Sequence, residues 1–172
     1  DPGKLIRNYS NFYSRSRQLA SALSEQGTAR GDTVSVILSN TPAMLEAHYG
    51  VPMCGAVLHS INTRLDPDTI AYQLDHANSK ALIVDREFLK TAKTSLELAG
   101  VSPILIEFND SEYPIKESLP GALEYEEFLL KGNKNYNWLM PEDEWDAISL
   151  NYTSGTTGNP KGVVSHLSLI HI

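Results

Sequence analysis

Short apolar runs alternate with amphipathic stretches along the first hundred residues, and that alternation predicts the elements. Phe12, Leu19, Ala20 and Leu23 recur at spacings of three, four and seven, so they share one helical face. Ser10 is the expected cap of that helix and Gly27 its stop. Residues 34–38 are almost continuously apolar, which marks a strand buried on both faces. Thr41-Pro42 places a capping hydroxyl before a proline suited to the first helical position, opening a helix that reaches about Cys54. Residues 56–58 read as a second buried strand. Asp66-Pro67 then repeats the cap-and-proline signal ahead of Ile70, Leu74 and Ala77. A third strand is expected at 81–84, a helix near 87–98, and a strand at 104–106. Such alternation predicts an α/β fold with a mostly parallel sheet and helices on both faces.

Between 109 and 142 the pattern weakens. Pro114, Pro120, Pro141, scattered charges and Lys131-Gly-Asn-Lys-Asn135 predict a surface excursion around one short helix near 123–130. A strand returns at 147–150. No internal repeat, low-complexity segment or heptad is present.

The candidate chemistry follows that last strand: Tyr152-Thr-Ser-Gly-Thr-Thr-Gly-Asn-Pro-Lys-Gly-Val-Val164. Glycines let successive N–H groups turn into one hollow. The Thr153, Ser154, Thr156 and Thr157 hydroxyls can donate to anionic oxygens, and Lys161 adds a positive charge. That set suits a polyphosphate, and its place after a buried strand is where ligands bind in parallel sheets. It is not a Walker loop. Counting from Gly155, Lys161 falls in place, but Pro160 stands where glycine is needed and Gly162 where a magnesium-binding hydroxyl is needed. Proline offers no N–H, and glycine offers no oxygen.

These residues resemble the signature loop of the AMP-forming acyl-CoA synthetases, the adenylate-forming superfamily. Further landmarks occur in family order. They are Arg30-Gly-Asp-Thr-Val-Ser-Val-Ile-Leu-Ser-Asn40, Gly55-Ala-Val-Leu-His-Ser-Ile-Asn-Thr-Arg-Leu65 and Asp143-Glu-Trp-Asp-Ala-Ile-Ser-Leu-Asn-Tyr152. Within the family the wording is nearest to short- and medium-chain ligases of the methylthiopropionate–CoA ligase type. The resemblance implies the first part of the family's large N-terminal domain. It also implies ATP-dependent activation of a carboxylic acid to an acyl adenylate, with coenzyme A as the acceptor. On that reading Thr153, Ser154, Thr156, Thr157 and the amides of Gly155 and Gly158 hold the phosphates. Lys161 neutralises the departing pyrophosphate, Gly162 permits close backbone passage and Pro160 stiffens the turn. Mg2+ is implied, with its ligand residues outside this chain.

Bulk properties narrow the partners. A net charge of −7 works against nucleic acid. No apolar run reaches the ~18 residues of a membrane span. The single Cys54 lies in an apolar stretch, which points to a packing role and a reducing compartment. With no leader visible, cytoplasm is the expected location, a peroxisomal address on a missing C-terminus being the alternative. Oligomeric state cannot be read from these residues. The chain starts at Asp1 and stops soon after the loop, whereas the resembling family is much longer. The expectation is a partial AMP-binding domain at 9–166, a non-native tail at 167–172 with a divergent short strand as the alternative, and no C-terminal domain. Such a piece is expected to be inactive by itself.

Other residues carry plainer expectations. His48, His59, His76 and His166 have no metal-ligand spacing, and His59 is the one expected to line a pocket. Asn62 and Arg64 are expected to brace a sheet edge. Glu142, Asp143, Glu144 and Asp146 are expected to form a solvated turn, and Arg15 and Arg17 a solvated helix face. Two rival functions remain at this stage: a phosphoryl-transfer NTPase with an atypical loop, and a non-catalytic nucleotide-binding remnant.

Overall fold

In the computed structural model the described residues are 8–153 and 158–168. Five helices and seven strands alternate: α1 (Tyr9–Glu25), β1 (Thr33–Ile37), α2 (Pro42–Met53), β2 (Val57–Ser60), α3 (Pro67–His76) and β3 (Ser79–Asp85), then a 3-10 turn (Arg86–Phe88), α4 (Leu89–Leu98), β4 (Ile104–Phe108), β5 (Leu123–Glu124), α5 (Tyr125–Lys131), β6 (Ala147–Thr153) and β7 (Lys161–His166). They form one sheet in the order β5-β4-β3-β1-β2-β6-β7. All pairings are parallel except the last, where β7 returns antiparallel to β6.

Helices cover both faces. Val34, Val36, Ala81, Ile83 and Ile106 point to α1, α2 and α5, whereas Ile37, Leu82 and Val84 point to α3 and α4. Both sets are almost fully buried, which is why the strands of this half read as continuous apolar runs. β6 and β7 are different. Val163 and Val164 on the edge strand are 47% and 54% exposed. No helix among the described residues is long and apolar enough to cross a membrane.

The caps show which local signals held. Asp66 accepts from the Thr69 amide at 2.9 Å, as its place before Pro67 predicts. At α1 the cap is Asn8, not Ser10: its Oδ1 accepts from the Asn11 amide at 2.8 Å. Both residues are good caps, so composition alone could not choose between them. Thr41 occupies the cap position of α2, yet its hydroxyl turns back to the Ser39 carbonyl at 3.3 Å. Gly27 follows α1 with φ +84°, a conformation that favours glycine.

Arg15 and Arg17 are not a solvated face. Arg15 grips Glu46 of α2 with contacts of 2.6 and 3.1 Å and Glu126 of α5 with two of 2.7 Å. Glu46 is fully buried and also accepts from the Tyr125 hydroxyl at 2.9 Å. Burial pushes the Glu46 carboxyl above its usual range, against the pull of Arg15, while Arg15 itself is raised, the hydrogen bond to Glu126 and the Glu46 charge outweighing its burial. The two-pronged geometry supports the ionised pair, since arginine keeps its proton. Arg17 donates to the Tyr136 carbonyl at 2.7 Å and lies over the Tyr13 ring. Helical periodicity placed both arginines on the outer face because the partners Glu126 and Tyr136 lie 111 and 119 residues away along the chain.

Asn62 and Arg64 also depart from expectation. β2 is interior, between β1 and β6, so there is no edge for them to brace. The Asn62 side chain instead accepts from the Arg64 amide at 3.0 Å, tightening the turn into α3. The acidic turn is exposed as expected, but organised: Asp146 accepts from the amides of Glu142 and Asp143 and from Arg30 at 3.2 Å. Cys54 is buried, donates to the Val51 carbonyl at 3.1 Å and has its thiol pushed up to about 11 by burial, which fits packing.

Candidate functional site

The hairpin of β6 and β7 flanks the hydroxyl- and glycine-rich stretch, at the carboxyl end of the parallel sheet. β6 runs parallel to β2, with Leu58 beside Ser149 and His59 beside Leu150. β7 then pairs back, setting Tyr152 opposite Gly162 and Thr153 opposite Lys161. Thr153 and Lys161 are therefore the two sides of the loop's stem, and both are exposed. Ser154, Gly155, Thr156 and Thr157 lie outside the described residues. Gly158 has φ +150°, and no atom of the described residues would crowd a Cβ there, so backbone conformation is what calls for glycine. Gly162 answers to crowding. A Cβ there would sit 3.0 Å from Leu150 Cδ1 and 3.5 Å from the Tyr152 ring, so glycine lets the strand cross those side chains closely.

Helix α3 packs against this stem. The Tyr152 hydroxyl and His76 Nδ1 share a hydrogen bond of 2.7 Å. His76 stacks on Tyr72, one turn earlier, with ring centres 5.5 Å apart, and the Tyr72 hydroxyl reaches the Pro160 carbonyl at 3.5 Å. Sequence reading assigned no role to Tyr72 and gave His76 a plain one. Their spacing of four on a helix places them on one face and was the available signal. Burial, and to a lesser degree Tyr72, raises the Tyr152 hydroxyl pKa.

His59 does not line a pocket. Its side chain is fully buried, 5.0 Å from the Tyr152 ring, with Nδ1 2.8 Å from Ser35 Oγ, which in turn lies 2.6 Å from Ser79 Oγ. Burial pushes its pKa down to about 4, so it is neutral. Nearby Gln73 favours the charged form slightly, but no hydrogen bond reaches Nε2. A histidine that does line a cavity is His48. That cavity, of about 390 Å³, is lined by His48, Met53, Trp138 and Ile148 among others. It also touches Gly31, Ala56 and Ala147, at the starts of β1, β2 and β6, so it opens at the end of the sheet opposite the stem. Among the described residues no three His, Cys, Asp or Glu side chains converge to hold a metal.

Residues 6–171 match the family described as AMP-binding enzyme. A peroxisomal acetate/butyrate–CoA ligase of Arabidopsis thaliana is 50% identical over 90% of this chain, and an acetate–CoA ligase of Humulus lupulus is 45% identical over 88%. A peroxisomal trans-cinnamate:CoA ligase of Petunia hybrida is 44% identical over 88%. In each case the chain spans 29% of the relative's length. The fold is matched by an anthranilate CoA ligase in complex with anthranoyl-AMP, with a TM-score of 0.82 and 24% identity over 91% of this chain and 29% of that one. A benzoate CoA ligase of Burkholderia xenovorans gives a TM-score of 0.79 and 23% identity over 96% of this chain and 30% of that one.

Proposed function

This chain belongs to the AMP-binding enzyme family, and from that premise we propose that the protein carrying it is an AMP-forming acid–CoA ligase whose loop between Thr153 and Lys161 holds the phosphates of ATP. One observation carries the site: Thr153 and Lys161 face each other at the open end of a parallel-sheet strand, with a hydroxyl- and glycine-rich stretch between them.

The substrate carboxylate attacks the α-phosphorus of ATP. A new carboxyl O–P bond forms, the bond to the bridging oxygen breaks, and pyrophosphate leaves with the electron pair. The thiol of coenzyme A then attacks the acyl carbon, and AMP leaves. Negative charge gathers on pyrophosphate as it departs, so donors already aimed at the β and γ phosphates favour the transition state over the ground state. The hydroxyls of Thr153, Ser154, Thr156 and Thr157 and the amides of Gly155 and Gly158 are those donors. A charge-assisted hydrogen bond of this kind contributes roughly 1.5–3 kcal/mol. Lys161 supplies the full charge. Mg2+, when bound, would add positive charge to stabilise the departing pyrophosphate; among the described residues no three His, Cys, Asp or Glu side chains converge to hold it.

The acid is proposed to be a short- or medium-chain aliphatic one, because the relatives at 50% and 45% identity are named for acetate or butyrate. Cytoplasm is the proposed location. A peroxisomal address is the alternative, since two of the three relatives described above carry that word in their names. The test is acid-dependent exchange of labelled pyrophosphate into ATP by the complete protein, with acetate and butyrate. AMP as the product supports a ligase. ADP would establish phosphoryl transfer, and no acid-dependent exchange would leave a nucleotide-binding remnant.

A further inference from the structure

We infer that Tyr152 and His76 are positioning residues, through which helix α3 braces the hairpin stem and fixes Thr153 and Lys161 relative to the sheet. The inference rests on the phosphate-loop reading above. Among the described residues β7 pairs only with β6, and much of the stem is exposed. A stem of that kind twists and frays readily. Its two sides are nevertheless held by one element: on β6, Tyr152 by the 2.7 Å hydrogen bond to His76, and just ahead of β7, Pro160 by the Tyr72 hydroxyl at 3.5 Å. Tyr152 adjoins Thr153, and Pro160 adjoins Lys161, so each tie acts one residue from a proposed phosphate contact.

α3 is fit to serve as the fixed support. Ile70 and Leu74 are fully buried against the sheet. Asp66 caps its start, and near its end Asp75 accepts from the amides of Gly100 and Val101 at 2.8 and 3.0 Å, tying it to the segment after α4. The tyrosine ring is held from its other side by His59, 5.0 Å away, and Gly162 leaves room for it under β7. A side chain that only filled space would not need its hydroxyl paired with a helix.

The test uses the complete protein and the exchange assay, with KM for ATP, KM for the acid and kcat read separately. Tyr152→Phe keeps the ring and loses the tie, and His76→Leu loses it from the other side. Each is expected to lower kcat or raise KM for ATP by roughly three- to tenfold, the range of one hydrogen bond, with KM for the acid unchanged. The double variant should cost no more than one single variant, because both remove the same bond. His76→Asn, which offers a donor and an acceptor near Nδ1, should restore activity. Wild-type exchange by both single variants, losses that multiply in the double variant, or losses that merely follow a fall in melting temperature would overturn the inference. Lys161→Ala is measured alongside. If it is crippled while Tyr152→Phe and His76→Leu are not, only the bracing fails. If Lys161→Ala also exchanges normally, the phosphate-loop reading fails and takes the bracing with it.

Discussion

Thr153 and Lys161 are cross-strand partners in the ladder of β6 and β7, so the hydroxyl and the ammonium bracket the same loop from its two sides. Removing the charge should therefore act on chemistry and leave the fold alone, because Lys161 is exposed. Lys161→Ala is expected to lower pyrophosphate exchange in the complete protein by about tenfold to a thousandfold, the scale of one lost electrostatic donor. Thermal unfolding of the variant should match the parent. Undiminished exchange would remove Lys161 from the mechanism.

Arg15 and Glu46 join the first two helices beneath α5. Arg15→Ala takes the two-pronged guanidinium contact away from the fully buried Glu46 carboxylate, and a broken buried pair costs about 3–5 kcal/mol. Arg17→Ala, which loses a backbone contact and a ring contact, is expected to cost about 1 kcal/mol. Urea titration of both variants measures the difference, and equal losses would contradict the assignment of the buried charge.

His59 makes stability depend on pH. It is buried neutral, with its pKa pushed from 6.5 down to about 4, so below 6.5 the unfolded chain binds a proton that the folded one refuses. Its contribution is complete above pH 6.5 and is lost as the pH falls toward 4, a swing of about 3 kcal/mol. Unfolding free energy measured from pH 7 to pH 4 should fall accordingly, and the fall should shrink in His59→Gln. An identical slope in that variant would assign the acid sensitivity elsewhere.

Gly132 closes α5 against α1. A Cβ there would overlap the Gln18 carbonyl, which belongs to the backbone of α1 and cannot rotate away. Gly132→Ala is expected to destabilise by about 1–3 kcal/mol as overpacking. At Gly121 the space is open and only φ +77° resists a side chain, so Gly121→Ala should cost about 1 kcal/mol. Chemical denaturation compares the two, and the reverse order would refute the packing geometry.

The sheet's parallel half was legible because the information is local. Residues 81–84 are apolar at every position and 34–38 at all but Ser35, and strands covered on both faces need that bias whatever lies above them. Asp66-Pro67 capped α3 as read, since a cap reaches only three residues along the chain. The two-residue β5 was not legible: Leu123–Glu124 is too short for any periodicity, and its pairing with β4 comes from the fold. The role of Arg15 was hidden for a related reason. A charge on a helix looks solvated until its partners, 31 and 111 residues away, are in place.

The candidate site divides along the same line. Side-chain chemistry in order along the chain determined by itself that a hydroxyl- and glycine-rich stretch with Lys161 follows a buried strand, because donor type and backbone freedom are properties of the residues themselves. Only the tertiary structure decided that Thr153 faces Lys161, that His59 is sealed in the core while His48 lines a cavity at the far end, and that Tyr72 and His76 reach the stem. Those relations depend on strand order and on α3 crossing back over the sheet. The distances they set are between groups remote in sequence, and no local preference encodes them.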